Sequence, residues 1–112
     1  MKGTAFEGQP GSLDQSSVEG AANLPYAVPN IEVDVHSPAF PVPVLWWRSV
    51  GHTHTAFVME TLVDQIARTA GQDPVAYRMQ LFGDKHPRHR TALQLAVDKS
   101  GYGKKRLPAG RA

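Results

Sequence analysis

The sequence contains no cysteine, which excludes both a disulfide framework and a metal site built from thiolates. It also lacks any apolar run close to the ~20 residues that a membrane-spanning helix needs. Its first residues, MKGTAFEGQPGSLDQ, contain no apolar segment of the kind found in signal peptides. We therefore expect a soluble chain with no signal peptide in this sequence.

Charge and apolar content are both modest. The formal net charge is +2, and hydrophobic residues make up 41% of the 112 residues, which is low for a self-sufficient domain. The 9 prolines and 10 glycines are many for this length, and most of them precede residue 52. The N-terminal half is therefore either weakly ordered or a segment that wraps around partners.

The N-terminal half contains two patterns typical of strands. Residues 1–23 are interrupted by glycines and predict an irregular loop. In residues 30–36 apolar Ile31, Val33 and Val35 alternate with polar side chains, which predicts a half-buried strand. A second extended run over 43–49 follows a proline-rich stretch, which favours a position at the edge of a sheet.

The pattern changes to a helical period after Gly51. Apolar residues then recur at helical spacing, namely Met59, Leu62, Val63, Ile66, Ala67 and Ala70, and predict a helix over 54–70. Asp73, Pro74 and Gly83 predict a second helix over 74–82, and a third is predicted over 88–100. Residues 104–112 form a basic tail. Strands followed by helices predict an α+β fold.

Two binding hypotheses follow from histidine and from basic residues. His52 and His54 could bind zinc if their segment were extended, but no third ligand is evident. The basic clusters Lys85–Arg90 and Lys104–Arg106 suggest a small module that binds nucleic acid. Because these clusters flank the third helix and the net charge is small, we expect no nucleic acid. No nucleophile with a base, phosphate loop or carboxylate pair is present, so no catalytic residue is predicted.

The remaining candidate is the corner where WWRSVGHT leads into the first helix. The first N–H groups of a helix have no intrahelical acceptor, and the helix dipole favours negative charge there. Arg48 adds a positive charge, and Trp46 and Trp47 could shield the corner from water. These features predict an anion-binding corner. In the alternative interpretation, one tryptophan belongs to the core and the other covers a subunit surface.

The stretch from Asn23 to Phe82 resembles the molybdopterin-binding large subunit of the xanthine dehydrogenase and aldehyde oxidase family. The residues that carry the resemblance follow the pattern P-V-P-x-x-x-W-R-S-V-G-H-x-H-x-x-F-x-x-E-x-x-x-D. The bacterial branch typified by the isoquinoline 1-oxidoreductase beta subunit is the most similar. Members are several times longer, so the resemblance implies an internal fragment, with residues 24–103 as part of the molybdopterin-binding domain.

The resemblance also implies a cofactor, partners and roles for residues. The cofactor is molybdenum held by a pterin dithiolene, and the parent enzyme hydroxylates an N-heterocycle or an aldehyde with oxygen from water. Trp47, Arg48, Ser49 and Gly51 are expected beside the cofactor, and Val50 beside the substrate. Val50 stands where xanthine dehydrogenases have an aromatic residue, so an aromatic sandwich around the substrate is not expected.

The expected partners are the remainder of the large subunit and a small subunit that carries iron–sulfur clusters. The family's catalytic glutamate lies outside this stretch, so the isolated chain is expected to be inactive. The bacterial cytoplasm and periplasm both remain open as compartments.

Overall fold

The computed structural model describes residues 13–36, 38, 41–42, 47–104 and 108–109. A single 3-10 turn at Gln15–Ser17 precedes three α-helices: α1 at His52–Thr69, α2 at Pro74–Phe82 and α3 at Pro87–Ser100. The helices pack in sequence, α1 against α2 and α2 against α3. The described part of the chain is therefore helical and contains no strand.

The predicted α+β fold class is wrong for the described residues. The segment 30–36 runs without helix, turn or bend, but the structure records no backbone hydrogen bond from it to any other described residue. Of the second predicted strand, 43–46 lie outside the described residues, and Arg48 to Val50 form a turn. Alternation shows that a segment has one apolar side, but a strand also needs a neighbour to pair with.

The three helices lie within two residues of the predicted limits because their boundaries are set by local signals. The carboxylate of Asp73 accepts hydrogen bonds from the N–H groups of Val75 and Ala76 at 3.0 and 2.9 Å. Pro74 follows at the first helical position of α2. At the end of α3, Gly101 adopts a left-handed conformation with φ of 71°, which ends the helix.

The hydrophobic core is small. It consists of Tyr26, Val63 and Phe82, and it is surrounded by the partly buried residues Leu24, Tyr77, Leu81 and Leu93. The rings of Tyr26 and Phe82 stack with their centroids 5.0 Å apart. The Cα radius of gyration is 18.0 Å, compared with about 13 Å for a compact domain of about 100 residues. We therefore expect little intrinsic stability from burial alone.

Many large apolar side chains are exposed. They include Trp47, Phe57, Val58, Leu62 and Ile66 around α1, Val28, and Ile31, Val33 and Val35 in residues 30–36, here called the extended segment. Of the apolar stripe predicted for α1, only Val63 and Ala67 are buried. None of the helices in the described ranges is long and apolar enough to cross a membrane.

Candidate functional site

The corner before α1 is a tight turn with a strained backbone. The N–H of Val50 donates to the carbonyl of Trp47 at 3.1 Å, and the hydroxyl of Thr53 donates to the carbonyl of Arg48 at 2.9 Å. Ser49 and Val50 have φ of 72° and 44°, in the left-handed region. This conformation is rare for a β-branched residue such as valine. The turn therefore holds its main chain in a shape that is unfavourable for its own side chains.

The start of α1 is covered by residues 14–23, here called the N-terminal turn. The N–H of Gly51 donates to Oε2 of Glu19 at 3.4 Å, and the same oxygen lies 3.6 Å from Nδ1 of His52. The hydroxyl of Thr55 donates to the carbonyl of Glu19 at 2.6 Å. Val18 is buried in this contact region. An internal carboxylate thus lies at the N-terminus of α1, where the helix dipole stabilises negative charge.

The sequence-predicted site residues lie together in this corner. Trp47, Arg48, Ser49 and Val50 are exposed, and Gly51 is buried beneath the N-terminal turn. Trp46 lies outside the described residues. Because Glu19 already accepts from Gly51, an external anion at this amide has to share or displace that carboxylate. The anion-binding role of the corner remains a prediction.

The contribution of Glu19 was not found from the sequence. It lies 32 positions before Gly51 and belongs to a segment predicted to be an irregular loop. No local pattern marks a carboxylate that reaches a helix start so far along the chain. Only the folded arrangement brings the two together.

The structure does not bring the two candidate zinc ligands together. His52 and His54 are both in the first turn of α1, and side chains two positions apart on a helix point to different sides. Within the described ranges, no group of three or more His, Cys, Asp or Glu side chains is placed to hold a metal ion. His52 and His54 are therefore helical, and not extended as the zinc hypothesis required.

The basic residues near α3 are partly engaged within the chain. Arg90 donates to the carbonyl of Gly83 at 3.1 Å and lies 3.9 Å from a carboxylate oxygen of Asp84. His89 packs against the rings of Phe82 and His86, with centroid distances of 5.7 and 5.6 Å. These contacts are structural, and they give no support to the nucleic-acid alternative.

A second polar cluster, here called the Arg78 cluster, joins α1, α2 and the segment before them. The guanidinium of Arg78 bonds to Oε2 of Glu60 at 2.9 Å and to Oδ1 of Asp64 at 2.5 Å. It also donates to the carbonyls of Glu60 and Pro74, at 2.9 and 3.2 Å. The hydroxyl of Tyr26 donates to the Glu60 carboxylate at 3.0 Å. Only 13% of the Arg78 side chain is exposed.

Two pKa shifts follow from this cluster. Burial alone would lower the pKa of Arg78, but its hydrogen bonds to Asp64 and Glu60 outweigh burial and raise the pKa. Burial, followed by the hydrogen bond to Glu60, raises the pKa of Tyr26 to about 12. Arg78 is therefore a permanent cation, and Tyr26 stays a neutral hydrogen-bond donor up to strongly alkaline pH.

The raised pKa of Tyr26 predicts a loss of stability in alkali. An unfolded tyrosine has a pKa of about 10, so the folded state favours the neutral phenol. The contribution of Tyr26 is fully present below pH ~10 and is lost as the pH rises towards about 12. Urea unfolding at a series of pH values measures this slope.

Matched phenylalanine variants identify the residue responsible for the slope. We expect Tyr26→Phe to remove most of the slope. Tyr102→Phe serves as the control because the hydrogen bond from Tyr102 to Asp73 also raises a tyrosine pKa, at an exposed position. An unchanged slope in Tyr26→Phe would show that another group is responsible.

No family model matches the chain, and no solved structure matches it. A curated protein is similar to it. The chain is 32% identical over 85 residues to isoquinoline 1-oxidoreductase subunit beta of Brevundimonas diminuta. The similar stretch is 76% of this chain and 11% of that protein, so the chain spans only a small part of the relative's length. The comparison supports a distant relationship to a subunit of an oxidoreductase.

Proposed function

We propose that the chain is a part of the molybdopterin-binding large subunit of a molybdenum hydroxylase. The observation that carries the proposal is the 85-residue similarity to isoquinoline 1-oxidoreductase subunit beta. The similarity extends over 76% of the chain, so it includes most of the described fold and is not confined to one short motif. The similar stretch is only 11% of the relative, as expected if the chain is part of a larger subunit.

The distribution of apolar surface supports the same proposal. Trp47 and Phe57 are each 73% exposed, although large aromatic side chains are normally buried. Exposed apolar residues lie along both α1 and the extended segment that faces it. Contiguous apolar surface of this kind marks an interface with other protein. The remainder of the large subunit would supply the covering residues.

The parent enzyme would hydroxylate a carbon atom of an N-heterocycle or an aldehyde with oxygen from water. The substrate would be oxidised, and its electrons would leave through iron–sulfur clusters on a small partner subunit. An N-heterocycle is favoured by the name of the relative, which refers to isoquinoline. The isolated chain would not catalyse this reaction, because the resemblance places the family's catalytic glutamate outside this stretch.

The corner at the start of α1 presents the exposed cation Arg48, which suits the negatively charged oxygen atoms of the proposed cofactor. The N–H of Gly51 is bonded to the carboxylate of Glu19, so an oxygen of the cofactor would have to displace that carboxylate to reach this amide. Trp47, Arg48, Ser49 and Gly51 would contact the cofactor, and Val50, 52% exposed, would line the path of the substrate. When bound, the molybdenum cofactor supplies the oxygen transfer and accepts the electrons; Arg48 would add positive charge beside it.

Loss of the Arg48 side chain is expected to weaken retention of molybdenum. A hydrogen bond between charged groups is worth about 2 kcal/mol, so Arg48→Ala would hold the cofactor more than tenfold less tightly. The variant chain, carrying an affinity tag, would be co-expressed with the remainder of the large subunit and the small iron–sulfur subunit. The ratio of molybdenum to chain after extended washing is the measurement.

Arg88→Ala is the matched control, because Arg88 is also exposed and lies at the start of α3, away from the corner. We expect this variant to retain molybdenum as the unaltered chain does. Equal retention in the two variants would exclude a role for Arg48 in holding the cofactor.

A further inference from the structure

An apolar groove of about 520 Å³ lies between the extended segment and α1. Ile31 and Val33 line one side, and Leu62 and Ile66 of α1 line the other. These four residues are between 37% and 47% exposed, so both sides of the groove are accessible from solvent. Accessible apolar walls of this kind suit a polypeptide segment that packs its own apolar side chains against them.

The rim of the groove is acidic. Glu32 and Asp34 alternate with the apolar residues of the extended segment, and both contribute to the lining. Among the ion pairs of the described residues, none involves either carboxylate. A second copy of the chain placed symmetrically on this groove would bring the acidic rims together, which is unfavourable. Charge complementarity therefore selects a partner with basic side chains.

We propose that the groove holds an apolar segment of the large subunit that carries Lys or Arg opposite Glu32 and Asp34. The source of the segment rests on the proposed function, whereas its chemistry follows from the groove itself. Apolar side chains of the segment pack against Leu62 and Ile66, and its cations pair with the rim. This contact joins the chain to the rest of the subunit.

A peptide array tests the inference without any cofactor. Short overlapping peptides covering isoquinoline 1-oxidoreductase subunit beta of Brevundimonas diminuta are incubated with the labelled chain. We expect binding to peptides that combine apolar residues with Lys or Arg. Neutralising the rim with Glu32→Gln and Asp34→Asn is expected to weaken this binding three- to tenfold, since exposed ion pairs contribute about 0.2–1 kcal/mol each.

Two control comparisons distinguish binding in the groove from nonspecific binding to apolar or acidic surface. Leu62→Asp places a charge on the groove wall and is expected to weaken binding more than tenfold. Leu95→Asp makes the same change at an exposed leucine of α3 that does not line the groove, and is expected to leave binding unchanged. The matched control for the rim neutralises two exposed carboxylates outside the groove, with Asp84→Asn and Asp98→Asn.

Absence of any binding peptide would overturn the inference. Binding that Leu62→Asp and Leu95→Asp weaken equally would do so as well. Either result leaves the proposed function open to its own test, because molybdenum content in the assembled complex is measured independently.

Discussion

Replacing Arg78 with alanine is expected to weaken strongly the packing of α1 against α2 in the isolated chain. The guanidinium bonds to the side chains of Glu60 and Asp64 and to the carbonyls of Glu60 and Pro74. Removal of this cation leaves two carboxylates on α1 facing a gap. Breaking a buried ion pair costs about 3–5 kcal/mol, and the partial exposure of both carboxylates reduces this to roughly 2–3 kcal/mol.

This loss is large compared with the stability that the chain can have. Small domains are stable by only about 5–15 kcal/mol, and the core of Tyr26, Val63 and Phe82 places this chain at the low end. A loss of roughly 2–3 kcal/mol from a stability near 5 kcal/mol removes about half of the free energy of unfolding, so we expect Arg78→Ala to unfold at a much lower urea concentration than the unaltered chain. The free energy of unfolding, measured by urea titration with circular dichroism, is the readout.

Arg68→Ala is the matched control, since it removes another arginine that contacts Asp64. Arg68 is 69% exposed and makes a single ion pair at 3.7 Å, worth about 0.3–0.5 kcal/mol. Arg78→Lys is expected to be intermediate, because lysine keeps the charge but cannot form the forked contacts of a guanidinium. If the Arg78 and Arg68 alanine variants were equally stable, the Arg78 cluster would not be what joins the helices.

Replacing Gly51 with alanine is expected to detach the N-terminal turn from α1. A Cβ at Gly51 would overlap the carbonyl oxygen of Ser16 and lie 2.9 Å from Cβ of Glu19. Backbone cannot yield as a flexible side chain does, so the contact of Glu19 with the helix start would be lost. Overpacking of this kind costs about 1–3 kcal/mol. Cleavage after Glu19 by a glutamate-specific protease measures the detachment directly.

Gly71→Ala separates this steric effect from a general effect of replacing glycine. Gly71 has φ of 66°, but a Cβ there would meet nothing within 4 Å. The left-handed conformation costs an alanine about 1–2 kcal/mol without disturbing the N-terminal turn. We expect rapid cleavage after Glu19 in Gly51→Ala and slow cleavage in Gly71→Ala. Slow cleavage in both would mean that the turn does not depend on close approach at Gly51.

The helices could be predicted from the sequence because each is specified by neighbouring residues. Asp73 and Pro74 start α2, and the apolar period identifies α1 and its inner face. The same period did not reveal how much of that face is covered. Leu62 and Ile66 share the stripe with Val63 but remain 42% exposed, because a stripe marks the surface that needs a partner without supplying one.

The features that the sequence did not predict depend on distant residues. Glu19 reaches Gly51 across 32 positions, and Tyr26 reaches Glu60 across 34. The alternation of 30–36 predicts a strand, yet the described residues provide no strand beside it. Local patterns report what a segment can do, whereas pairing and long-range contacts depend on the rest of the chain. The sequence does predict that the corner residues 47–51 lie together, because they are consecutive in the chain.

The molybdenum content of the assembled complex tests most directly whether this chain belongs to a molybdenum hydroxylase. The complex would be purified through a tag on the chain after co-expression with the rest of the large subunit and the small iron–sulfur subunit. Membership in such an enzyme predicts one molybdenum atom for each copy of the chain. A stable complex that contains no molybdenum, prepared in cells that load a known molybdenum hydroxylase, would contradict it.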